Sequence, residues 1–177
     1  RIGAERSRRP LSLRGPPMLC ALALVASLLF PNVQARNLSG QTLETRQQRG
    51  IPIVYLLAFT PEQRGEADAW KRAIAALTGG ELRTVEMPVL SGFAVLIRPI
   101  IESSMTRKTP EAERPDRQIT TDRTALVAGL RIPDPDRASV LALVDPEGVV
   151  RFTVRGLPTP ESEAALRAAW EGLKRAR

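Results

Sequence analysis

The hydrophobic pattern of the chain predicts strands that alternate with helices over most of its length. Residues 51–59 form a continuous apolar run with β-branched and aromatic side chains, which is typical of a strand buried on both faces of a sheet. Residues 60–62 have the features of a helix start, namely an N-cap threonine, an early proline and an early acid. The helical stripe that follows ends at residues 79–80, and residues 82–87 predict a second strand that Pro88 stops.

The middle of the chain carries a second helical stripe followed by a charged segment. Apolar residues recur at helical spacing over residues 92–105, and Pro99 within this stripe predicts a kink or a break. Residues 106–118 are charged and contain two prolines, which disfavour regular structure. We expect this segment to be an exposed loop.

The last third of the chain predicts a β-hairpin and a closing helix. Residues 139–144 and 149–154 resemble strands, and the Asp-Pro-Glu-Gly sequence between them favours a tight turn. Alternation in the second strand places Val150 and Phe152 on one face and Arg151 on the other. We therefore expect Phe152 in the core and Arg151 in solvent. A Pro-Thr-Pro-Glu-Ser stretch then opens an amphipathic terminal helix.

The order of these elements predicts an α/β fold with a central mixed sheet flanked by helices and closed by a β-hairpin and a C-terminal helix. This order, with the hairpin phrase at residues 141–148 and Gly156 before the terminal helix, resembles the thioredoxin-like superfamily. Three further features resemble the mitochondrial ATP synthase assembly factor family of the Atp-ten type: Trp70 on the first helix, Val85-Glu86-Met87-Pro88 after it, and Gly129-Leu130-Arg131-Ile132-Pro133 before the hairpin. The resemblance covers residues 50–173.

The first 35 residues indicate a basic leader and a secretory signal peptide. Arginines precede an uncharged apolar run at residues 19–30, and Val33 and Ala35 stand at the minus-three and minus-one positions of a signal-peptidase site. The run is shorter than the roughly 20 residues that cross a bilayer, which disfavours the alternative of a retained membrane anchor. We therefore expect cleavage after Ala35 and a periplasmic or secreted mature protein.

The predicted organisation has three parts: the leader and signal peptide at 1–35, an N-terminal lead-in at 36–50, and a thioredoxin-like domain at 51–177. The chain has a net charge of +7, which falls to +3 beyond the leader because the leader holds five arginines and one glutamate. A charge of this size, with only seven aromatic residues in the chain, does not predict a nucleic-acid interface.

Catalytic chemistry is restricted because the chain has one cysteine, Cys20 in the leader, and no histidine. Thioredoxins carry Cys-x-x-Cys after the strand equivalent to residues 51–59, and the resemblance places residues 60–63, Thr-Pro-Glu-Gln, at that position. The proline that redox thioredoxins carry before the strand at 140–144 is also replaced, by Ala-Ser. Disulfide exchange needs a thiolate, a Ser-His-Asp triad needs histidine, and metal sites lose their two best ligands. We expect no catalytic residue, no metal and no cofactor.

These exclusions favour a non-redox interaction or assembly protein with a protein partner, and no small-molecule substrate is evident. The family resemblance implies help in assembling a membrane-associated complex, as with ATP synthase subunits. The candidate contact surface comprises Thr60, Pro61, Glu62, Gln63, Pro88, Arg107, Lys108, Arg114 and Arg117. The competing class is an enzyme, either a diverged peroxiredoxin-like or thioredoxin-like oxidoreductase or a carboxylate-dependent enzyme.

Overall fold

The computed structural model describes residues 28–176 and contains a four-stranded sheet beside a three-stranded sheet. The strands are β1 (Gln34–Asn37), β2 (Thr42–Glu44), β3 (Ile53–Ala58), β4 (Arg83–Pro88), β5 (Gln118–Thr120), β6 (Val140–Val144) and β7 (Val150–Arg155). The helices are α1 (Arg64–Thr78), α2 (Phe93–Leu96), α3 (Arg98–Lys108), α4 (Arg123–Gly129) and α5 (Pro160–Arg175). Short 3-10 turns span Thr45–Gln48, Pro61–Gln63 and Glu111–Asp116.

The larger sheet is mixed and has the strand order β4-β3-β6-β7. β3 runs parallel to β4 and antiparallel to β6, while β6 and β7 form the predicted hairpin. The smaller sheet has the order β2-β1-β5, and isolated parallel bridges from Glu86 to Arg117 and from Val89 to Thr120 join the two sheets. The predicted mixed sheet with a closing hairpin and a terminal helix is confirmed.

Two hydrophobic layers cover the two faces of the larger sheet. On one face, Trp70 of α1 and Leu166 of α5 are fully buried against the strands. On the other face, Tyr55 packs in a cluster with Leu126 of α4 and with Phe30 from the segment before β1. The rings of Phe30 and Tyr55 stack with their centroids 4.2 Å apart. Helices on both sides of the sheet therefore leave only its ends and edges open to solvent.

The fold begins before the predicted boundary at residue 35. Val33 and Ala35 are exposed by only 1% and 2%, and Ala35 lies within β1. Cleavage after Ala35 would cut through this strand and remove Phe30 and Val33 from the core. Most of the predicted lead-in at residues 36–50 therefore lies in β1, β2 and a 3-10 turn, while cleavage after Ala35 stays a prediction. The remainder of the predicted leader, including Cys20, lies outside the described residues.

The two predicted helical stripes form helices with small differences at their ends. α1 ends as predicted at Gly79, whose φ of 63° is the left-handed conformation that glycine adopts without strain. The second stripe breaks at Ile97 into α2 and α3, and Pro99 stands in the first turn of α3. A proline is tolerated there because its missing N–H would have no partner within the helix. The predicted break is therefore confirmed.

The segment at residues 106–118, predicted as an exposed loop, is partly exposed but mostly regular in structure. α3 continues through Lys108, a 3-10 turn spans Glu111–Asp116, and Gln118 is fully buried at the start of β5. Ion pairs hold this segment against the sheet, among them Arg83 Nη2 with Asp116 Oδ1 at 2.7 Å. Composition alone suggests a solvated loop, because it does not reveal which charges find partners in the fold.

A β-bulge interrupts the pairing of β7 with β6 beside Arg151. The bulge turns Val150 toward the face of the sheet that Tyr55 occupies, while Phe152 packs with α1 and α5 on the other face. The inward position of Phe152 is confirmed, but its predicted shared face with Val150 is wrong. Arg151 is half exposed, and its Nε lies 2.6 Å from Oδ2 of the buried Asp145, so it is an ion-pair partner as well as a solvated side chain.

Candidate functional site

An apolar groove with a volume of about 470 Å³ opens at the carboxyl ends of the parallel strands β3 and β4. The turn after β3, the end of β4 and the helices α2 and α3 all contribute residues to it. Ligands of open α/β sheets commonly bind at this end of the strands. Most of the lining is apolar and includes Leu56, Ala58, Phe59, Met87, Val89, Leu90, Ile101 and Met105.

The turn that borders the groove is fixed from inside by Gln63. Thr60 has extended backbone angles, and Pro61 begins the 3-10 turn that leads into α1. The Oε1 atom of Gln63 accepts a 2.7 Å hydrogen bond from the N–H of Phe59, and its Nε2 donates to the carbonyl of Pro135 at 2.8 Å. Gln63 is only 3% exposed, so both ends of its amide are used within the protein.

The structure brings together four of the nine predicted contact residues. Thr60, Pro61, Pro88 and Arg117 line the groove. The other five lie elsewhere: Gln63 is buried, Glu62 is exposed on the 3-10 turn, Arg107 and Lys108 are exposed at the end of α3, and Arg114 is half-buried and donates from Nε to the Thr109 carbonyl. The predicted contact surface is therefore not one continuous patch. Its role in binding stays a prediction.

Beneath the groove lies a charge cluster formed by Lys71, Glu86, Glu113 and Arg117. Lys71 Nζ lies 3.0 Å from Glu86 Oε1 and 2.5 Å from Glu113 Oε2. Arg117 Nη2 lies 2.5 Å from the second oxygen, Glu86 Oε2. Both oxygens of Glu86 are thus paired with cations. The cluster also ties the 3-10 turn of Glu113 to α1 and β4.

Electrostatic coupling keeps the charge cluster ionised. Burial raises the pKa of Glu86, but hydrogen bonds from Arg117 and Lys71 outweigh it and leave that pKa below its ordinary value. Burial lowers the pKa of Lys71, but hydrogen bonds to Glu113 and Glu86 outweigh it and leave that pKa raised. At neutral pH the cluster holds two positive and two negative charges. It therefore adds no net charge to the groove.

The sequence analysis did not predict the charge cluster, nor did it predict that α2 and α3 contribute residues to the groove. Glu86 entered the resemblance only as part of a motif, and Lys71 was one of several charges on a helix. The sequence feature that could have revealed the charge cluster is the acid Glu86, which lies between Val85 and Met87. Both of these neighbours are fully buried in β4. An ionised acid in such a strand needs a cation. Its partners come from α1 and from the segment before β5, and only the fold brings these together.

Among the residues from 28 to 176, no group of three or more side chains is arranged to hold a metal ion. In that same part of the chain, no helix is both long and apolar enough to cross a membrane.

The loop before β6 is held by α1, because the N–H of Ser139 donates a 2.7 Å hydrogen bond to Glu66 Oε2.

Comparison with known proteins gives structural matches without sequence matches. No family model matches the chain, and no curated protein matches it. DsbF of MTB has 20% identity and a TM-score of 0.51 over 80% of this chain and 95% of that chain. BsSco, a member of the Sco family of cytochrome c oxidase assembly proteins, has 9% identity and a TM-score of 0.57 over 84% and 95%. A putative thiol:disulfide interchange protein DsbE from Chlorobium tepidum has 10% identity and a TM-score of 0.54 over 83% and 96%.

These matches show that the chain has a thioredoxin-like α/β fold, as predicted. Identities at or below 20% establish the architecture and leave the activity open. A closer relationship with the ATP synthase assembly factor family stays a prediction. Within this fold, Thr60 and Pro61 line the apolar groove, and they belong to the segment 60–63 where the resemblance expects the redox cysteines.

Proposed function

We propose that this protein is an exported, non-redox thioredoxin-like interaction protein that binds an apolar segment of a protein partner during assembly of a membrane-associated complex. The observation that carries the proposal is the apolar groove of about 470 Å³ at residues 60–61, where Thr-Pro replaces a thiol-bearing motif. In this proposal, the site where redox thioredoxins carry their cysteines serves as a binding surface. Residues 60–61 provide no thiol that could react with a bound partner.

The lining of the groove favours an uncharged polypeptide segment. Most of the residues that line it are apolar, and Glu86 and Arg117 within it are paired with each other. Small-molecule sites usually combine an apolar lining with a few free polar groups that orient the ligand. Here Glu86, Arg117 and Asp136 are occupied by ion-pair partners within the protein. Apolar side chains of a flexible peptide can fill such a groove without a fixed polar contact.

An assembly role is supported by the kind of protein that shares the fold. BsSco is described as a member of a family of cytochrome c oxidase assembly proteins, and the sequence resemblance points to ATP synthase assembly. In both descriptions the complex being assembled is a respiratory or ATP-producing one. A chain with an export signal would meet such apolar segments at a membrane surface. The competing oxidoreductase proposal rests on the fold of the DsbF and DsbE proteins.

The redox alternative predicts turnover of disulfide or peroxide substrates, whereas the interaction proposal predicts none. We expect the exported protein to reduce insulin disulfides and to consume peroxide at the rate of a buffer blank, because attack on either substrate needs a thiolate. The Cys20→Ser variant should behave identically in both assays. Turnover above the blank that disappears in the Cys20→Ser variant would establish the oxidoreductase reading instead.

A variant that fills the groove should lose peptide binding. We expect Ala94→Trp to weaken binding of an uncharged Leu-Ala-rich fluorescent peptide by about tenfold or more, because a bulky side chain displaces apolar contacts of the ligand. Fluorescence anisotropy measures this affinity. Ala168→Trp is the matched control, because Ala168 is exposed on α5 outside the groove, and it should bind within about twofold of the parent.

The same pair of variants tests the role with natural partners. Proteins captured from membranes should be retained by the Ala168→Trp variant and lost by the Ala94→Trp variant. Binding should also change little with salt, because Glu86 and Arg117 in the groove are already paired with each other. Equal peptide affinity for the parent and Ala94→Trp would reject the groove as the binding site.

A further inference from the structure

The helices α2 and α3 expose an apolar tip made of Phe93, Val95, Leu96 and Ile100. Their exposures are 72%, 40%, 77% and 68%. Neither helix contains a buried residue, although together they cover about half of the segment between β4 and β5. Contiguous apolar patches on soluble proteins usually mark a surface that contacts a partner or a membrane.

The apolar tip is separate from the groove. Ile101 and Met105, four residues apart on one side of α3, line the groove, whereas Phe93, Leu96 and Ile100 do not. Exposures of two thirds to three quarters mean that these three side chains project outward instead of lining a concavity. A fluid lipid interface can accept a projecting apolar tip without a preformed pocket, whereas a protein partner must present a matching cavity.

Charges on α3 match an anionic lipid surface. Arg107 and Lys108 are exposed in the last turn, and Arg107 lies seven residues after Ile100 and so on the same side of the helix. The single acid of the two helices, Glu102, is paired with Arg98 at 2.5 Å. The exposed surface therefore combines apolar side chains with the positive charges of Arg107 and Lys108, which form no ion pair with any residue from 28 to 176. Interfacial helices bind membranes through this combination of apolar insertion and attraction to anionic lipids.

We infer that the apolar tip inserts into the head-group region of an anionic membrane and holds the protein at that surface as a peripheral protein. This inference goes beyond the proposed function, because it concerns a different face and a lipid ligand. The attachment would place the groove beside a membrane, where apolar segments of unassembled subunits emerge. It requires neither a spanning helix nor a peptide in the groove.

Vesicle sedimentation tests the inference with the exported protein after its N-terminus has been determined by mass. The protein should bind vesicles of mixed phosphatidylglycerol and phosphatidylcholine, and should bind pure phosphatidylcholine vesicles far more weakly. Leu96→Ser should weaken binding by about tenfold, because an inserted leucine loses its transfer from water to lipid. Leu157→Ser is the matched control, because Leu157 is an apolar residue exposed by 59% outside α2 and α3, and it should have no effect.

The electrostatic part is tested by the double variant Arg107→Gln and Lys108→Gln, which should bind about tenfold or more weakly at low salt. Arg167→Gln with Arg175→Gln, on α5, removes the same charge away from the tip and should bind like the parent. In Phe93→Trp, the new indole should show a blue-shifted emission with anionic vesicles, while the buried Trp70 and Trp170 give a constant background.

Three results would overturn the inference. The first is equal vesicle affinity for Leu96→Ser and Leu157→Ser. The second is binding that does not depend on anionic lipid. The third is a dimer in analytical ultracentrifugation that Leu96→Ser dissociates, because a second copy would then cover the tip. The peptide-binding assay uses no vesicles and different variants, so loss of lipid binding and loss of groove binding are distinguishable.

Discussion

A chain that begins at Arg36 should be far less stable than a chain that begins at Leu28. The shorter chain lacks Phe30, which stacks on Tyr55, and Val33, which is exposed by only 1%. Loss of a single buried Phe side chain costs about 3 to 5 kcal/mol, and loss of Val33 and half of β1 adds to it. We expect a total loss of more than about 5 kcal/mol, which is enough to unfold an ordinary domain.

Urea denaturation followed by circular dichroism measures this difference. The single variant Phe30→Ala in the longer chain separates the side chain from the truncation, and it should cost about 3 to 5 kcal/mol. Leu29→Ala is the matched control, because Leu29 is 55% exposed and precedes Phe30 directly. If the two chain lengths were equally stable, the segment before Arg36 would not belong to the fold, and cleavage after Ala35 would be compatible with a folded product.

Glu86→Gln should destabilise the protein by about 3 kcal/mol at neutral pH. The carboxylate of Glu86 pairs with both Lys71 and Arg117, and its side chain is only 13% exposed. Removing one member of a largely buried ion pair leaves the others without a counter-charge, which costs much more than loss of a surface pair. Chemical denaturation measures the cost. Glu111→Gln, an exposed acid of the neighbouring 3-10 turn, should change stability by less than about 0.5 kcal/mol.

The effect of Glu86→Gln should depend on pH with a definite sign. The pKa of Glu86 is lowered in the folded protein from its ordinary value of 4.5, so the folded state favours the ionised form. The resulting stabilisation is fully present above pH 4.5 and is lost as the pH falls through the lower folded pKa. The difference between the parent and the variant should therefore shrink in acid. A constant difference from neutral pH down to strongly acidic pH would contradict the ion-pair explanation.

The sequence alone determined the elements whose signals are local. β3 is buried from Ile53 to Leu57 because a central strand with helices on both faces must be apolar on both sides. The Asp-Pro-Glu-Gly turn produced the hairpin of β6 and β7, and Thr159 caps α5 by accepting a hydrogen bond from the N–H of Ser162. Each of these features depends on residues close together in the chain. The order of such elements was sufficient to predict the thioredoxin-like fold.

The tertiary structure decided everything that depends on distant partners. β1, β2 and β5 are short strands whose composition resembles that of loops, and β1 pairs with β5 across more than 80 residues of sequence, for example Ala35 with Thr120. The ion pairs of Glu113 and Arg117 in the segment at 106–118 are made with Lys71 and Glu86, which come from other elements. The groove likewise combines the ends of β3 and β4 with one side of α3. The partners of these strands, charges and apolar side chains are far away in the sequence. Their interactions form only when the fold brings the elements together, so the local sequence does not reveal them.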